Sequence, residues 1–429
     1  MKTLIEQCRD GKIPRPVRQI AAGEGVAAAA IAAAVARGTI VVPANRKRTV
    51  ARLCGIGAPL RVKINANLGT SPDCEDDAAE LSKLKIAVAC GADTIMDLSV
   101  GKDLARTRSA VLKHSPVPVG TVPIYEAFIR AEKKYGDSAG MTPPEVLAVL
   151  EEQAEAGVDF FTIHCGVTRK NTALLRRHPR FLGMVSRGGA LLARWMQRTG
   201  QENPFFSRFD DILRIARRYD IVLSLGDGMR PGSVLDSTDR PQLAELKLLG
   251  KLAAQAVRAG VQVMIEGPGH IPLHHIRRNI ALQKKYCRGA PFYVLGPLVT
   301  DIAAGYDHIA AAIGSCVAGM YGADFLCFVT PAEHIRLPDE EDIKLGVIAS
   351  KIAAHGADLA RRNERAWEQD RRMSAARKVR DWPAQAACAL DPEKFAAMRR
   401  QSRPQLDDVC TMCGKYCSMK MQGEDSERA

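Results

Sequence analysis

IVLSLGDGMRPG (221–232) is a short β-branched run that ends in a Gly-rich, polar break. A second run of the same kind, VQVMIEGPGH (261–270), follows after the segment from Gln242 to Gly260. That segment repeats its apolar residues about every 3.6 positions and stops at a glycine, as an amphipathic helix does. The stretch from 221 to 270 therefore predicts a strand, a helix and a second strand, the repeating unit of a parallel sheet.

The same rhythm extends from about residue 60 to about residue 330. Candidate runs recur roughly every 25–40 residues, which is the spacing of βα units. They span 61–69, 92–101, 118–125, 159–166, 183–189, 221–232, 261–270, 291–298 and 323–334. Eight such units close a barrel. The predicted fold class is thus α/β, a (β/α)8 TIM-like barrel, and a ninth run is either an extra strand or not a strand.

The segments outside the barrel are shorter and largely helical. An Ala-rich helix is expected from Val26 to Ala36, and a long helix from Asp342 to Arg380. The expected domains are an N-terminal segment at 1–60, the barrel catalytic domain at 61–340, a helical domain at 341–400 and a Cys-rich tail at 401–429.

The 429 residues include 46% hydrophobic and 25% charged residues, an ordinary globular composition. The formal net charge of +13 could attract nucleic acid. Much of it lies at 361–380, where Glu364, Glu368 and Asp370 stand at near-helical spacing to Arg and Lys. An ion-paired, solvated helix face explains that pattern, and no aromatic-interleaved basic patch accompanies it. We therefore expect no nucleic-acid partner.

The beginning of the chain, MKTLIEQCRDGKIPRP, is too polar for a secretory signal. The longest apolar stretch, Val26 to Val35, is far shorter than a membrane span of about 20 residues. We expect a cytoplasmic protein with reduced thiols and no membrane association.

Polar side chains gather at the ends of the predicted strands. They are Asn65, Asn67, Asp97, Ser99, Tyr125, His164, Ser186, Arg187, Asp227, Arg230, Glu266, His270, Tyr293, Glu333 and His334. In a (β/α)8 barrel this face carries the active site. Solvent-exposed loops would also place polar residues after the strands, but Asn, Gly, Ser and Pro would then be enough to form the turns. The set indicates a functional site.

The tail carries a motif of three thiols, Cys410, Cys413 and Cys417, within eight residues. Three thiolates can hold a four-iron cluster and leave one iron open to an outside ligand. A zinc site completed by Cys388 or a histidine is the alternative, and the spacing does not separate the two. The other nine cysteines are expected to be ordinary buried thiols.

Two histidines end predicted strands, His270 in IEGPGH and His334 in PAEH. Neutral imidazoles at nearby strand ends can share a divalent ion, although a lone histidine is more often structural. Ser186-Arg187-Gly188-Gly189 offers a phosphate cradle. Asp227-Gly228-Met229-Arg230 suits ribose hydroxyls or a further phosphate contact. Gly-rich turns of this kind are also common as plain turns.

Longer strings carry a resemblance to a known family. KINANLGTSPD, SPVPVGTVPIY, DFFTIHCGVT, GMVSRGGA, LSLGDGMRPG, VQVMIEGPGHIPL, GADFLCFVTPAEH and the CxxCxxxC tail resemble the phosphomethylpyrimidine synthases. These radical S-adenosylmethionine enzymes make the pyrimidine half of thiamine. The resemblance runs in order from about residue 60 to 420, and it implies a homodimer in which the cluster-binding tail serves an active site.

The resemblance also implies roles for individual residues. The implied substrate shell is Asn67, Met96, Tyr125, His164, Ser186, Arg187, Gly188, Asp227, Gly228, Met229, Arg230, Glu266 and Tyr293. The implied metal ligands are His270 and His334 for zinc or iron, and Cys410, Cys413 and Cys417 for a 4Fe-4S cluster. The sequence departs from the family pattern at Val100, Lys102 and Glu126, and it has three residues rather than four between the last two cysteines.

The implied reaction begins when one electron, from a reductant such as flavodoxin or ferredoxin, cleaves S-adenosylmethionine to a 5′-deoxyadenosyl radical. That radical takes hydrogen from 5-amino-1-(5-phospho-β-D-ribosyl)imidazole. The expected products are 4-amino-5-hydroxymethyl-2-methylpyrimidine phosphate, formate and carbon monoxide. A related 5-hydroxybenzimidazole synthase of anaerobic cobalamin synthesis is the second hypothesis, and a zinc-stabilised, nucleic-acid-binding barrel is the third.

Overall fold

The computed structural model describes residues 1–402 and 406–426, with side chains described as far as residue 422. The chain divides into two compact units, Met1–Ala357 and Asp358–Ala429. The expected domain boundaries at 60, 340 and 400 stay predictions.

The first unit is built around a closed barrel of eight parallel strands in chain order. The strands are β1 (Lys63–Leu68), β2 (Thr94–Asp97), β3 (Val119–Thr121), β4 (Phe160–Ile163), β5 (Val222–Leu225), β6 (Val263–Gly267), β7 (Phe292–Leu295) and β8 (Phe325–Cys327). β8 pairs with β1 through Lys63 and Phe325, which closes the ring. The predicted (β/α)8 barrel is confirmed.

Helices fill the connections between the strands and flank the barrel. In the first unit they are α1 (Leu4–Arg9), α2 (Arg15–Glu24), α3 (Ala28–Arg37), α4 (Asp77–Ala89), α5 (Leu104–His114), α6 (Pro123–Tyr135), α7 (Pro143–Glu155), α8 (Arg169–Arg177), α9 (Arg187–Thr199), α10 (Pro204–Ser207), α11 (Phe209–Tyr219), α12 (Arg240–Arg258), α13 (Leu273–Tyr286) and α14 (Asp307–Tyr321). Side-chain caps at Asp76, Asp103 and Ser186 begin three of them.

A glycine on β3 makes room for a large aromatic side chain on β4. Gly120 pairs with Phe160 on the next strand, and a Cβ on Gly120 would overlap that ring. The strands are buried on both faces, which explains why they appear in the sequence as apolar runs rather than as alternating patterns.

The run at 183–189 is not a strand, which corrects one expectation. Residues 183–186 form a loop, and α9 begins at Arg187. The Ser186 hydroxyl accepts the Gly189 backbone N–H at 3.2 Å, so Ser186 caps a helix instead of ending a strand. Tyr125 is likewise in a helix, because β3 ends at Thr121 and Pro123 opens α6.

The N-terminal segment covers the amino ends of the strands. The Thr3 hydroxyl donates to the carbonyl of Gly260, just before β6. The backbone N–H of Asn45 donates to the Asp159 carboxylate, just before β4, at 2.9 Å. Since this end of the barrel is closed by α1 to α3 and the following loop, the opposite end is the one open to ligands.

The helices after β8 begin with α15 (Glu340–Ala360), which runs into the second unit. They continue as α16 (Glu364–Lys378), α17 (Trp382–Cys388) and α18 (Pro392–Gln401), and α19 (Ser418–Ser426) lies in the tail. The single helix expected from 342 to 380 is wrong: Arg362 has a φ of 61° and Asn363 caps a new helix. On α16, Arg371 pairs with Glu364 and Glu368, which confirms the ion-paired face. No helix within the described ranges is long and apolar enough to cross a membrane.

Candidate active site

A pocket opens at the carboxyl ends of the strands. Most of the residues predicted to contact substrate line it, namely Asn67, Met96, Tyr125, His164, Asp227, Arg230, Glu266 and Tyr293. They come from seven of the βα units and are far apart in the sequence. The barrel therefore brings these side chains together in one pocket, whereas the sequence indicated only that each lies at a strand end.

Glu266 is fixed in this pocket by hydroxyls from two neighbouring strands. Thr162 on β4 and Ser224 on β5 donate to its Oε1 atom at 2.7 Å and 2.9 Å. Burial raises the pKa of Glu266, and the two hydroxyls oppose that rise. The carboxyl group is thus held rigidly, with one oxygen committed to the protein.

Asp227, Arg230 and His164 form a second polar group in the pocket. Arg230 Nη1 donates to Asp227 Oδ1 at 3.2 Å. Burial raises the pKa of Asp227 to about 8, against the lowering effect of Arg230. Burial, together with Arg230, lowers the pKa of His164 to about 3. Burial thus favours the protonated carboxyl of Asp227 and the neutral imidazole of His164.

Two atoms of this group are left for a ligand. Within the part of the chain that the structure describes, His164 Nδ1 and Asp227 Oδ2 are buried and have no hydrogen-bond partner. Buried polar atoms without a partner are rare in folded proteins because each costs desolvation free energy. Both atoms are therefore suited to contact a polar ligand.

The Ser186-Arg187-Gly188-Gly189 turn lies against these residues. A Cβ on Gly188 would overlap the His164 ring, and one on Gly189 would overlap the carbonyl oxygen of Gly228. Only glycine permits this close approach of the two loops. The turn also opens the 13-residue helix α9, whose positive N-terminal end favours an anion.

Two arginines fix the position of these loops. The Arg187 guanidinium lies over the Tyr125 ring, 5.0 Å from its centre. The side chain of Arg180 is 1% exposed. It donates to the carbonyl oxygens of Met229 at 2.7 Å and Arg230 at 3.1 Å. Arg180 thus ties the loop that leads to Ser186 to the loop that carries Asp227.

The floor of the pocket is a hydrogen-bonded set of lumen side chains. Asn65 donates to the Tyr293 hydroxyl at 2.8 Å, and that hydroxyl donates to the Met96 sulfur at 3.7 Å. Asn67 donates to the Cys327 sulfur at 3.1 Å. Burial holds the pKa of the Tyr293 hydroxyl well above its usual value. These groups form a polar but uncharged floor.

The two predicted metal-binding histidines do lie together. The ring centres of His270 and His334 are 5.3 Å apart. His270 Nδ1 faces Asp301 Oδ1 at 2.8 Å, and His334 Nδ1 faces Asp307 Oδ1 at 3.6 Å. A carboxylate on Nδ1 leaves Nε2 of each ring available to a metal. Burial lowers the pKa of His270, which favours the neutral imidazole that metals require.

The cysteine motif forms a compact turn in the second unit. The Gly414 N–H donates to the Cys410 carbonyl at 3.0 Å, and Gly414 has a φ of 52°. Backbone N–H groups of Met412 and Cys413 donate to the Cys410 sulfur and hold its pKa below the usual value. Cys413 is exposed, whereas Cys417 is buried. N–H donors of this kind stabilise a thiolate and tune a cluster bound to it.

Comparisons with known proteins decide the family. The model of the radical SAM ThiC family matches residues 3–424. This chain belongs to that family. The phosphomethylpyrimidine synthase of Thermodesulfovibrio yellowstonii is 54% identical over 421 residues, 98% of each chain. That of Moorella thermoacetica is 52% identical over 422 residues, again 98% of each chain.

Among solved structures, dihydropteroate synthase from Thermus thermophilus is similar at 17% identity and a TM-score of 0.40, over 73% of this chain and 97% of that one. That similarity is too low to support any argument about this chain. The identity with the two synthases carries the assignment to the radical SAM ThiC family.

Membership of a radical SAM family implies an iron–sulfur cluster and S-adenosylmethionine. Within residues 1–402 and 406–422, no three His, Cys, Asp or Glu side chains are grouped as a metal site. The three cysteines share one turn with sulfur-directed N–H groups, and the two histidines have Nε2 available. The donor types therefore fit the cluster and a divalent ion, and the individual ligands stay predictions.

Several residues of this ThiC-family pocket were missed by the sequence analysis. Thr162 and Cys327 lie inside strands that are buried on both faces, so no alternation marks which residues face the lumen. Arg180 and Asp301 lie in long loops, and their partners are distant in the sequence. Gly183, Ser186 and Arg187 could have drawn attention to the loop of Arg180, whereas the loop of Asp301 has no such string.

The departures from the family pattern fall at different distances from the pocket. Val100 lines a cavity beside Tyr125 and Arg187. The Lys102 side chain is 86% exposed and points to solvent. Glu126 is turned away into a buried network, where it accepts hydrogen bonds from Arg108 at 2.6 Å and from Gln153. Glu126 therefore shapes the start of α6 rather than the pocket.

One expectation about the thiols is wrong. Cys74 is exposed instead of buried, because it closes a short turn in which its N–H donates to the Ser71 carbonyl. Cys8, Cys54, Cys165, Cys287 and Cys327 are buried as expected, and Cys90, Cys316 and Cys388 are half-buried.

Proposed function

We propose that the chain is a phosphomethylpyrimidine synthase of thiamine biosynthesis. It converts 5-amino-1-(5-phospho-β-D-ribosyl)imidazole to 4-amino-5-hydroxymethyl-2-methylpyrimidine phosphate, with release of formate and carbon monoxide. The observation that carries the proposal is the barrel pocket in which His164 Nδ1 and Asp227 Oδ2 are buried without partners beside the start of α9. A phosphorylated, hydroxyl-bearing substrate matches both features.

The N-terminal end of α9 holds the substrate phosphate in this proposal. Ser186 supplies a hydroxyl, Arg187 a guanidinium, and Gly188 a backbone that can approach closely. These groups combine a helix dipole with charge-assisted hydrogen bonds, the usual means of binding a phosphate monoester. Arg187 is also positioned by its contact with Tyr125.

The ribose and the imidazole ring then face the polar groups deeper in the pocket. Asp227, with its proton at neutral pH, donates to a substrate oxygen, and the neutral His164 accepts or donates at Nδ1. Glu266, which lies on β6 and is held by hydroxyls from β4 and β5, faces the imidazole amino group. Asn67, Met96 and Tyr293 form the floor that excludes water from a reactive substrate.

Cys410, Cys413 and Cys417 hold the 4Fe-4S cluster in the proposal, and His270 with His334 holds zinc or iron. When bound, the cluster and S-adenosylmethionine supply the radical chemistry, while the protein supplies position and electrostatics. The turn around Gly414 brings the three cysteines into one short segment. The proposal includes a cytoplasmic homodimer and a flavodoxin or ferredoxin as the electron donor.

The test is the identity of the product. The purified chain is reconstituted anaerobically with iron and sulfide and incubated with the aminoimidazole ribotide, S-adenosylmethionine and a reductant. Mass spectrometry should find the pyrimidine phosphate, and omission of S-adenosylmethionine should abolish it. Formation of 5-hydroxybenzimidazole instead would transfer the assignment to that synthase, and absence of both products would contradict the proposal.

A further inference from the structure

Asp301 lies at the carboxyl end of the barrel, between the loop that carries His270 and the loop that carries Ser233. It belongs to the loop between β7 and α14, and its side chain is 33% exposed. One carboxylate oxygen, Oδ1, faces His270 Nδ1 at 2.8 Å. The other, Oδ2, accepts the Ser233 hydroxyl and the Val234 backbone N–H, each at 2.9 Å. Both oxygens of Asp301 are therefore engaged, on different segments.

The two segments have different roles in the site. His270 ends the β6 loop and is one of the histidines proposed to bind a metal. Ser233 and Val234 belong to the loop after β5, and they follow Arg230 by three and four residues. Arg180 holds the same loop from its other side, at the carbonyl oxygens of Met229 and Arg230. Asp301 is the contact that joins this substrate-facing loop to His270.

The chemistry of a carboxylate fixes the state of the His270 ring. An ionised Asp accepts hydrogen bonds and donates none, so His270 must carry its proton on Nδ1. The lone pair is then on Nε2, the atom that faces away from Asp301 and is available to a metal. The same carboxylate holds the loop by accepting two donors. One side chain therefore sets a tautomer and a loop position together.

We propose that Asp301 is a positioning residue that couples metal binding at His270 and His334 to the ordering of the 229–234 loop. A metal on His270 Nε2 strengthens the Nδ1 hydrogen bond to Asp301 and so fixes the carboxylate that holds Ser233 and Val234. By linkage, the ordered loop favours metal binding to the same extent. The inference rests on the two-histidine metal site of the proposed function.

Asp301→Asn is the direct test, because an amide has one acceptor where the carboxylate has two. If its NH2 group faces His270, it forces the proton to Nε2, where a metal cannot bind. If its NH2 group faces the loop, it opposes the Val234 N–H. Either orientation loses one of the two contacts, the one to His270 or the one to the loop.

The first measurement is zinc affinity of the full-length, cluster-loaded enzyme, by competition with a fluorescent chelator. We expect Asp301→Asn to weaken zinc binding by about 10–100-fold, the usual effect of removing a carboxylate behind a metal-bound histidine. Asp236→Asn is the matched control. Asp236 also holds a loop, through the N–H groups of Phe181 and Leu182, but it does not contact either histidine. Equal zinc affinity in the Asp301 variant and the wild type would overturn the proposal.

The second measurement is amide hydrogen exchange of residues 229–239 with and without zinc. Zinc should slow exchange in the wild type and have no effect on this segment in Asp301→Asn. Ser233→Ala keeps the contact between Asp301 and His270, so it should retain near-normal zinc affinity but lose most of the zinc-dependent protection. This variant tests the loop connection even if Asp301→Asn does not fold. A wild-type loop that exchanges equally with and without zinc would contradict the coupling.

These measurements are independent of the product assay. If zinc affinity and loop exchange depend on Asp301 but no pyrimidine phosphate is formed, the coupling stands and the proposed function fails. If the product is formed and the Asp301 variant binds zinc normally, the function stands and the coupling fails.

Discussion

The barrel pocket and the cysteine turn differ in how many side-chain contacts hold their functional residues in place. In the pocket, Glu266 is fixed by two hydroxyls, and Asp227 is buried beside Arg230. In the turn, Met412 is 90% exposed and Tyr416 is 71% exposed, and the described contacts are mainly backbone hydrogen bonds. The pocket is shaped by a packed core, whereas the turn is shaped by a few local bonds.

This difference shows which kind of functional group each region suits. Groups that must be precisely oriented and desolvated lie on strand ends of a rigid barrel, where burial shifts their pKa values. The thiols proposed to bind the cluster lie on a small turn, in which Cys413 is exposed and Cys417 is buried. The two regions should therefore respond independently to substitution.

The largest effect is expected from Cys413→Ala. Removal of one of three thiols in the turn should abolish cluster assembly, so iron and sulfide content falls to background and activity becomes undetectable. The barrel should stay folded, with unchanged circular dichroism and thermal unfolding, because Cys413 is exposed and lies in the other unit. Cys388→Ala, in α17, is the control and should retain the cluster. Loss of the whole fold would show that the turn holds a structural metal instead.

Glu266→Gln is the reciprocal change, made in the pocket. An amide cannot carry the negative charge or offer the same acceptors, so kcat/KM should fall about 100-fold, which corresponds to about 2.7 kcal/mol. Iron and sulfide content should equal that of the wild type. The control is Glu155→Gln, an exposed carboxyl paired with Lys47, which should leave kcat/KM unchanged. A variant that lost its cluster would show that the two regions are not independent.

The sequence predicted the barrel because each strand is buried on both faces and appears as an apolar run. It failed at 183–189, where Met184 and Val185 before a Gly-rich turn imitate a strand end, although Ser186 caps α9. The polar residues at strand ends, such as His164 and Asp227, were recognisable because barrel geometry makes that face the active one.

Other parts of the site could not be predicted in this way. Asp301 contacts Ser233 and His270, and neither contact follows from a local pattern, because three separate loops must fold before they meet. Thr162 lies within an apolar strand, and only the closed barrel shows that it faces Glu266. The family resemblance indicated which residues bind ligands. It did not indicate the hydrogen-bond partners of those residues, because these contacts depend on tertiary structure.

Gly189→Ala tests how closely the pocket is packed and should have an intermediate effect. The added Cβ would overlap the Gly228 carbonyl oxygen, so the Ser186 turn and the Asp227 loop must move apart. We expect kcat/KM to fall about tenfold, or about 1.4 kcal/mol, mainly through a higher KM for the phosphorylated substrate. Gly23→Ala, in α2, is the control, since nothing lies within 4 Å of a Cβ there. An unchanged KM would mean that this turn does not bind the substrate.

The smallest effect concerns stability and pH in the unliganded enzyme. Burial raises the pKa of Asp227 from 3.8 to about 8, so between these values the folded chain keeps a proton that the unfolded chain releases. Folding stability contributed by this group therefore decreases as pH rises from about 4 to about 8. Asp227→Asn removes the titration, and its Tm should fall less than that of the wild type between pH 5 and pH 8, by about 2–4 °C. Thermal unfolding followed by tryptophan fluorescence, to which the buried Trp195 contributes, measures this, with exposed Asp73→Asn as the control. Parallel Tm curves for the wild type and Asp227→Asn would mean that the carboxyl of Asp227 is already ionised in the folded pocket at pH 5, and the pocket would then present a charge rather than a proton donor.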